Sequence, residues 1–162
     1  MLKRKSRVRP RMACREKQRE EKMANTELLE KSLPVAPLRI AALEGCRPLA
    51  EEVDHKLVKF RKELLAKKEM SIVPQGYCER SFLVDLKCSR FGTGEGKAYI
   101  LDSVRGTDLF IMVDITNYSL TYKLCGQYNH MSPDDHYQDL KRIIAAVGGK
   151  ARRITVIMPF LY

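Results

Sequence analysis

Apolar and polar positions alternate along this chain with periods that change from segment to segment, and each change marks an element. Leu38-Arg-Ile-Ala-Ala-Leu43 is a short apolar run ended by Glu44-Gly45, which predicts a first buried strand. Pro48 then stands at an early helical position, where its missing N–H costs nothing. Leu49, Val53, Leu57, Phe60 and Leu64 follow at spacings of four, four, three and four, with Glu51, Glu52, Lys56, Lys59 and Arg61 between them. That stripe predicts an amphipathic helix laid on a sheet. Ser81 to Arg90, Lys97 to Ser103 and Asp108 to Ile115 read as strands, with turns at Gly92 to Gly96 and at Arg105-Gly106. Within the last of these, Leu109-Phe-Ile-Met-Val113 is apolar on both faces, as in a strand covered on both sides inside an α/β sheet.

Asn117 to Met131 has no clear period and is expected to be an irregular, tyrosine-rich connection. Ser132-Pro133-Asp134-Asp135 supplies an N-cap, a first-turn proline and acids suited to the positive end of a helix dipole. The helix should carry Tyr137, Leu140, Ile143 and Ile144 and end at Gly148-Gly149, where a left-handed cap is allowed. Arg153 to Phe160 reads as one more buried strand. A helix between two apolar strands implies a right-handed crossover in a parallel sheet. The expected fold is therefore α/β: a mainly parallel sheet flanked by helices, plus a β-hairpin near residues 81–103.

At 162 residues and 44% hydrophobic content the chain has the size of one domain, able to bury roughly two thirds of its unfolded surface. No run reaches the ~18 apolar residues of a membrane span, and no signal-peptide core opens the chain, so a cytoplasmic protein is expected. Five scattered cysteines without zinc-finger or redox spacing read as reduced thiols. The net charge of +10 sits at one end: residues 1 to 22 hold ten Lys or Arg against three Glu. Residues 1–36 are expected to be a basic, disordered extension, and Met23 is an alternative start. Glu16, Glu20 and Glu21 argue against a mitochondrial leader. With the body close to neutral, nucleic-acid binding through residues 1–22 is the lesser reading.

Gly92-Thr-Gly-Glu-Gly-Lys97 is not a P-loop: three residues rather than four precede Gly-Lys, Ala98 replaces Ser or Thr, and a strand follows instead of a helix. Taken alone it is a glycine-rich hairpin connection. His130 and His136 flank Asp134 and Asp135, but the acids are explained as helix-start residues, so no metal site is assigned. His55 falls on a charged helix face. Tyr118, Tyr122, Tyr128 and Tyr137 suit a partial core or an interface better than a base-stacking platform, because no basic stripe runs between them.

Ser89-Arg-Phe-Gly-Thr-Gly-Glu-Gly, Asp102-Ser-Val-Arg-Gly-Thr-Asp-Leu-Phe-Ile and Arg153-Ile-Thr-Val-Ile-Met-Pro-Phe together resemble the amino-terminal half of ribose-phosphate pyrophosphokinase, in a divergent bacterial branch. The resemblance spans roughly residues 38 to 162, with 117–131 departing from the usual pattern. It implies a phosphoribosyltransferase-like three-layer sandwich over residues 37–162. It implies a turn that reaches into a neighbouring subunit and holds the adenine of ATP, so that Phe91 would flank the base and Glu95 would take the family's Glu position. Thr93 stands where the family has Asp. It implies the making of phosphoribosyl pyrophosphate from ATP and ribose 5-phosphate with Mg²⁺, in a homo-oligomer. The family's catalytic half would lie beyond Tyr162, so the chain is expected to be partial, inactive alone, and to expose apolar surface that its carboxy-terminal half would cover. The alternative is a non-catalytic regulatory or interaction domain of the same family.

Overall fold

The structure, a computed structural model, describes residues 34–67 and 72–160; nearly all of the basic extension expected at 1–36 lies outside them. Four parallel strands form the central sheet: β1 (Leu38–Ala42), β2 (Leu83–Val84), β5 (Asp108–Met112) and β8 (Arg153–Ile157), in the order β2-β1-β5-β8. Between them in sequence come helix α1 (Arg47–Ala66), hairpin strands β3 (Leu86–Arg90) and β4 (Gly96–Ile100), hairpin strands β6 (Thr121–Leu124) and β7 (Gln127–His130), and helix α2 (Pro133–Val147).

Side-chain alternation along the strands divides the interior into two layers. Ala41, Leu109, Ile111 and Val113 face Leu140, Ile143 and Val147 of α2. Ile40, Ala42 and Met112 face the opposite way, against Ala50 and Phe82, with Val53 and Leu57 of α1 packed on them. The expected parallel α/β architecture is present: helix, sheet, helix.

Helix α2 begins as its sequence requires. The Ser132 hydroxyl accepts the Asp135 N–H at 3.2 Å while the Asp135 carboxylate accepts the Ser132 N–H at 2.9 Å, closing a capping box. Gly148 ends the helix in the left-handed region at φ 57°.

Four expectations are corrected. Ser81 to Arg90 is not one strand: Leu83–Val84 joins the main sheet and Leu86–Arg90 leaves it. The break falls at Asp85, whose N–H donates to the Asp102 carboxylate at 2.8 Å and whose carbonyl accepts from Leu101 at 2.8 Å, tying the two ends of the β3–β4 hairpin together.

Helix α1 keeps Val53, Leu57 and Leu64 of the expected stripe on the sheet side, but the stripe's other two members fall outside the buried face. Ala50, Asp54 and Leu64 are buried, whereas Leu49 and Phe60 are 47% and 43% exposed. Ala50 lets the helix approach the sheet, and Asp54 must face inward because its carboxylate accepts the Phe82 N–H at 2.7 Å. Likewise on α2, His136 and Asp139 are buried while Tyr137 and Ile144 are exposed.

The strand expected at 153–160 is not buried. β8 pairs only with β5 among the described residues, and Val156 and Ile157 are exposed along that edge. Finally, the connection 117–131 is not irregular: it holds the β6–β7 hairpin. Its two-residue turn places Cys125 at φ 49° and Gly126 at φ 85°, the doubly left-handed turn that matches strand twist.

Candidate functional site

Strands β3 and β4 pair from Leu86↔Ile100 to Arg90↔Gly96, and the chain reverses between them through Phe91 to Glu95. The Phe91 N–H donates to the Glu95 carbonyl and the Gly94 N–H to the Phe91 carbonyl, both at 2.9 Å. Gly94 sits at φ 92°, a conformation that strains any side chain. The three residues singled out in the sequence, Phe91, Thr93 and Glu95, are all brought together on this turn, and all are exposed. Neither the Thr93 hydroxyl nor the Glu95 carboxylate has a hydrogen-bond or ion-pair partner among the described residues. Gly92 to Lys97 leads into a strand, so the backbone here offers no helix N-terminus for phosphate.

A buried ionic clamp fixes the foot of the turn. Both terminal nitrogens of Arg90 donate to the Asp139 carboxylate, at 2.7 and 2.9 Å, and Arg142 donates to the same carboxylate at 2.7 Å. The Arg90 and Asp139 side chains are only 8% and 4% exposed. Burial pulls the Arg90 guanidinium down, but its bonds to Asp139 and the charge there more than offset this, leaving it above its ordinary value. Neighbouring Cys88 is pushed up to about 11, first by burial and then by the Asp139 charge, so its thiol stays protonated at neutral pH. Gly96 lies directly over the clamp: a Cβ there would stand 2.6 Å from the Arg142 guanidinium nitrogen and closer still to Arg90.

Beside the clamp opens a cleft of about 260 Å³ lined by Leu43, Glu44, Cys88, Arg90, Tyr122 and His136, among others. It stands at the carboxyl end of β1, next to the point where the connection from β1 leads to β2 on one side and that from β5 leads to β8 on the other. Open parallel sheets bind ligands at such points.

His130 and His136 are committed elsewhere. The His136 imidazole pairs with the Asn117 carbonyl at 2.7 Å, and His130 pairs with the Tyr118 carbonyl at 2.9 Å while stacking on the Tyr118 ring, centroids 4.5 Å apart. With Asp135 held in the capping box, no cluster of three potential metal ligands exists among the described residues.

The Arg90–Asp139 pair was invisible to sequence reading because its members lie 49 residues apart and each looks like surface charge. The one available signal is that Arg90 continues the alternation of Leu86 and Cys88, the inward face of β3.

The Val104-Arg-Gly106 turn is likewise locked, with Thr107 donating its hydroxyl to the Val104 carbonyl at 2.8 Å and Gly106 its N–H to the Lys150 carbonyl at 2.9 Å. The Arg153 guanidinium pairs with the Asp108 carboxylate and joins the first residues of β8 and β5.

A search of curated proteins found no match to this chain. The family model described as the N-terminal domain of ribose phosphate pyrophosphokinase matches residues 38–162, which include every strand and helix described above. A match over so much of the chain, on a parallel α/β sheet that carries the expected glycine-rich hairpin, makes this protein a member of the ribose phosphate pyrophosphokinase N-terminal domain family.

Proposed function

We propose that this domain is the nucleotide-holding part of a ribose-phosphate diphosphokinase, and that Phe91, Thr93 and Glu95 receive the adenine of ATP. The carrying observation is that an aromatic ring, a hydroxyl and a carboxylate stand exposed on one short turn, with both polar groups lacking partners among the described residues. A half-exposed Phe91 ring gives a base a stacking face. The Glu95 carboxylate is an acceptor matched to an exocyclic amino group, and Thr93 adds a donor or acceptor beside it.

In the reaction, the 1-hydroxyl of ribose 5-phosphate attacks the β-phosphorus of ATP, the bridge to the α-phosphate breaks, and the β,γ-diphosphoryl group is transferred as AMP leaves and the hydroxyl proton is lost. This domain supplies positioning of the purine end, and positioning is the larger part of what a protein contributes to phosphoryl transfer. The turn presents its side chains outward, which suits a purine held at a subunit boundary in a homo-oligomer, and the domain alone is not expected to form phosphoribosyl pyrophosphate.

Calorimetric titration of the purified chain with ATP tests the reading. Phe91→Ala should weaken ATP binding about 10- to 100-fold, the usual value of one base–aromatic stack. Equal affinity in wild type and Phe91→Ala would remove the assignment.

Thr93 favours a second reading. A neutral hydroxyl in place of the family's acid weakens selection for adenine, as in a domain that keeps the fold for regulation of intact synthetases. Stable association with an intact synthetase, without ATP binding, distinguishes it.

A further inference from the structure

The turn from Phe91 to Glu95 is fixed at its foot by the Arg90–Asp139–Arg142 clamp, but its tip contains Gly92 and Gly94 and would lose the most entropy on ordering around a ligand. A second element meets that tip. The Cys125 thiol donates to the Gly92 carbonyl at 3.7 Å, and both methyl groups of Leu124 lie 3.7 Å from the position of a Cβ on Gly94. Lower down, the Arg90 guanidinium lies 5.4 Å from the centre of the Tyr122 ring. All three contacts come from β6 and its turn.

That hairpin is stiff by construction. Its strands pair from Thr121↔His130 to Leu124↔Gln127, and its turn has the geometry native to two-residue hairpins. Its open end is closed by the Met131 N–H on the Leu120 carbonyl at 2.9 Å and by the Tyr118–His130 stack.

We infer that the β6–β7 hairpin is a positioning element for the nucleotide-holding turn, with Leu124 and Cys125 as its contact residues. The inference rests on the nucleotide reading above. Holding Gly92 and Gly94 before the ligand arrives reduces the ordering that binding must bring about, and preorganisation of this kind raises affinity without a new ligand contact. Leu124 and Cys125 need not touch the nucleotide; they act through the backbone of the turn.

Hydrogen exchange of the Phe91 and Gly94 amides, measured in the full chain alongside ATP titration, tests this for Leu124→Ala, Leu124→Met and Cys125→Ser. Leu124→Ala should speed exchange at those two amides about tenfold and weaken ATP binding by a similar factor, while central-sheet amides such as Ile111 stay protected. Leu124→Met should restore both readouts, and Cys125→Ser should show a smaller effect of the same kind. Unchanged exchange in Leu124→Ala overturns the inference, as does a uniform rise across the whole domain or a rise at the turn with ATP affinity intact. If exchange responds as expected but the wild-type chain binds no ATP, the nucleotide reading fails and only the mechanical contact survives.

Discussion

Asp139 carries three charge-assisted hydrogen bonds in a nearly dry position, and the two guanidiniums it serves sit under Gly96. Removing the carboxylate leaves Arg90 buried and unpaired, so Asp139→Ala should destabilise the domain by about 3–5 kcal/mol in urea unfolding. Replacing the pair by Arg90→Met with Asp139→Leu should recover much of that loss, because the cost is the orphaned charge and not the missing attraction. Gly96→Ala should disturb the same place, since its methyl group would fall within 3 Å of both guanidiniums and they would have to shift. At the start of α2, burial tends to raise the Asp135 carboxyl, but its bonds from the Ser132 backbone and hydroxyl outweigh this and hold it below its ordinary value. A depressed carboxyl stabilises the fold above its unfolded pKa of about 3.9 and loses that contribution as pH falls through the lower folded value. The stability difference between wild type and Asp135→Ala should therefore be constant near neutrality and shrink below about pH 4. Thiol chemistry separates by environment in the same way: at pH 8 iodoacetamide should label exposed Cys78 and Cys125 well before Cys88, whose thiol is held near 11, as peptide mass spectrometry would report.

Elements were legible where a local signal and burial agreed. Ser132 to Asp135 and Gly148 announce both ends of α2, because capping chemistry is decided within a few residues. The exposed turn carrying Phe91, Thr93 and Glu95 was legible for a similar reason: closely spaced glycines between two alternating runs leave few options other than a hairpin. Helix α1 was found with Val53, Leu57 and Leu64 correctly placed on the sheet side, but the stripe's edge was misjudged, since one drawn through Leu49 and Phe60 gives no weight to Ala50, whose small side chain allows close packing, or to Asp54, which has a backbone N–H to satisfy. Leu49→Ser and Phe60→Ser should accordingly change stability by no more than about 0.5 kcal/mol, whereas Ala50→Leu should overpack the helix–sheet layer and cost about 1–3 kcal/mol by thermal or urea melts. The β6–β7 hairpin escaped notice because its turn has cysteine where asparagine or aspartate usually signals the left-handed position. The brace between the two hairpins could not be read at all, being a contact between residues 33 apart with no shared pattern.

For the molecule as a whole, the parallel order β2-β1-β5-β8 has a cost in time. Hairpins β3–β4 and β6–β7 close over short loops, but β1 pairs with β5 only across about seventy residues, and β8 must wait for α2. Long-range pairings of this kind place folding toward the slower, millisecond-to-second range. The same topology acts during synthesis. At about 5–20 residues per second, Leu38 to Leu43 spends several seconds outside the ribosome before its neighbours exist, an apolar ribbon with two unclaimed edges. Ribosome-bound chains arrested before the β5 segment emerges should therefore be more prone to aggregate than chains that include it.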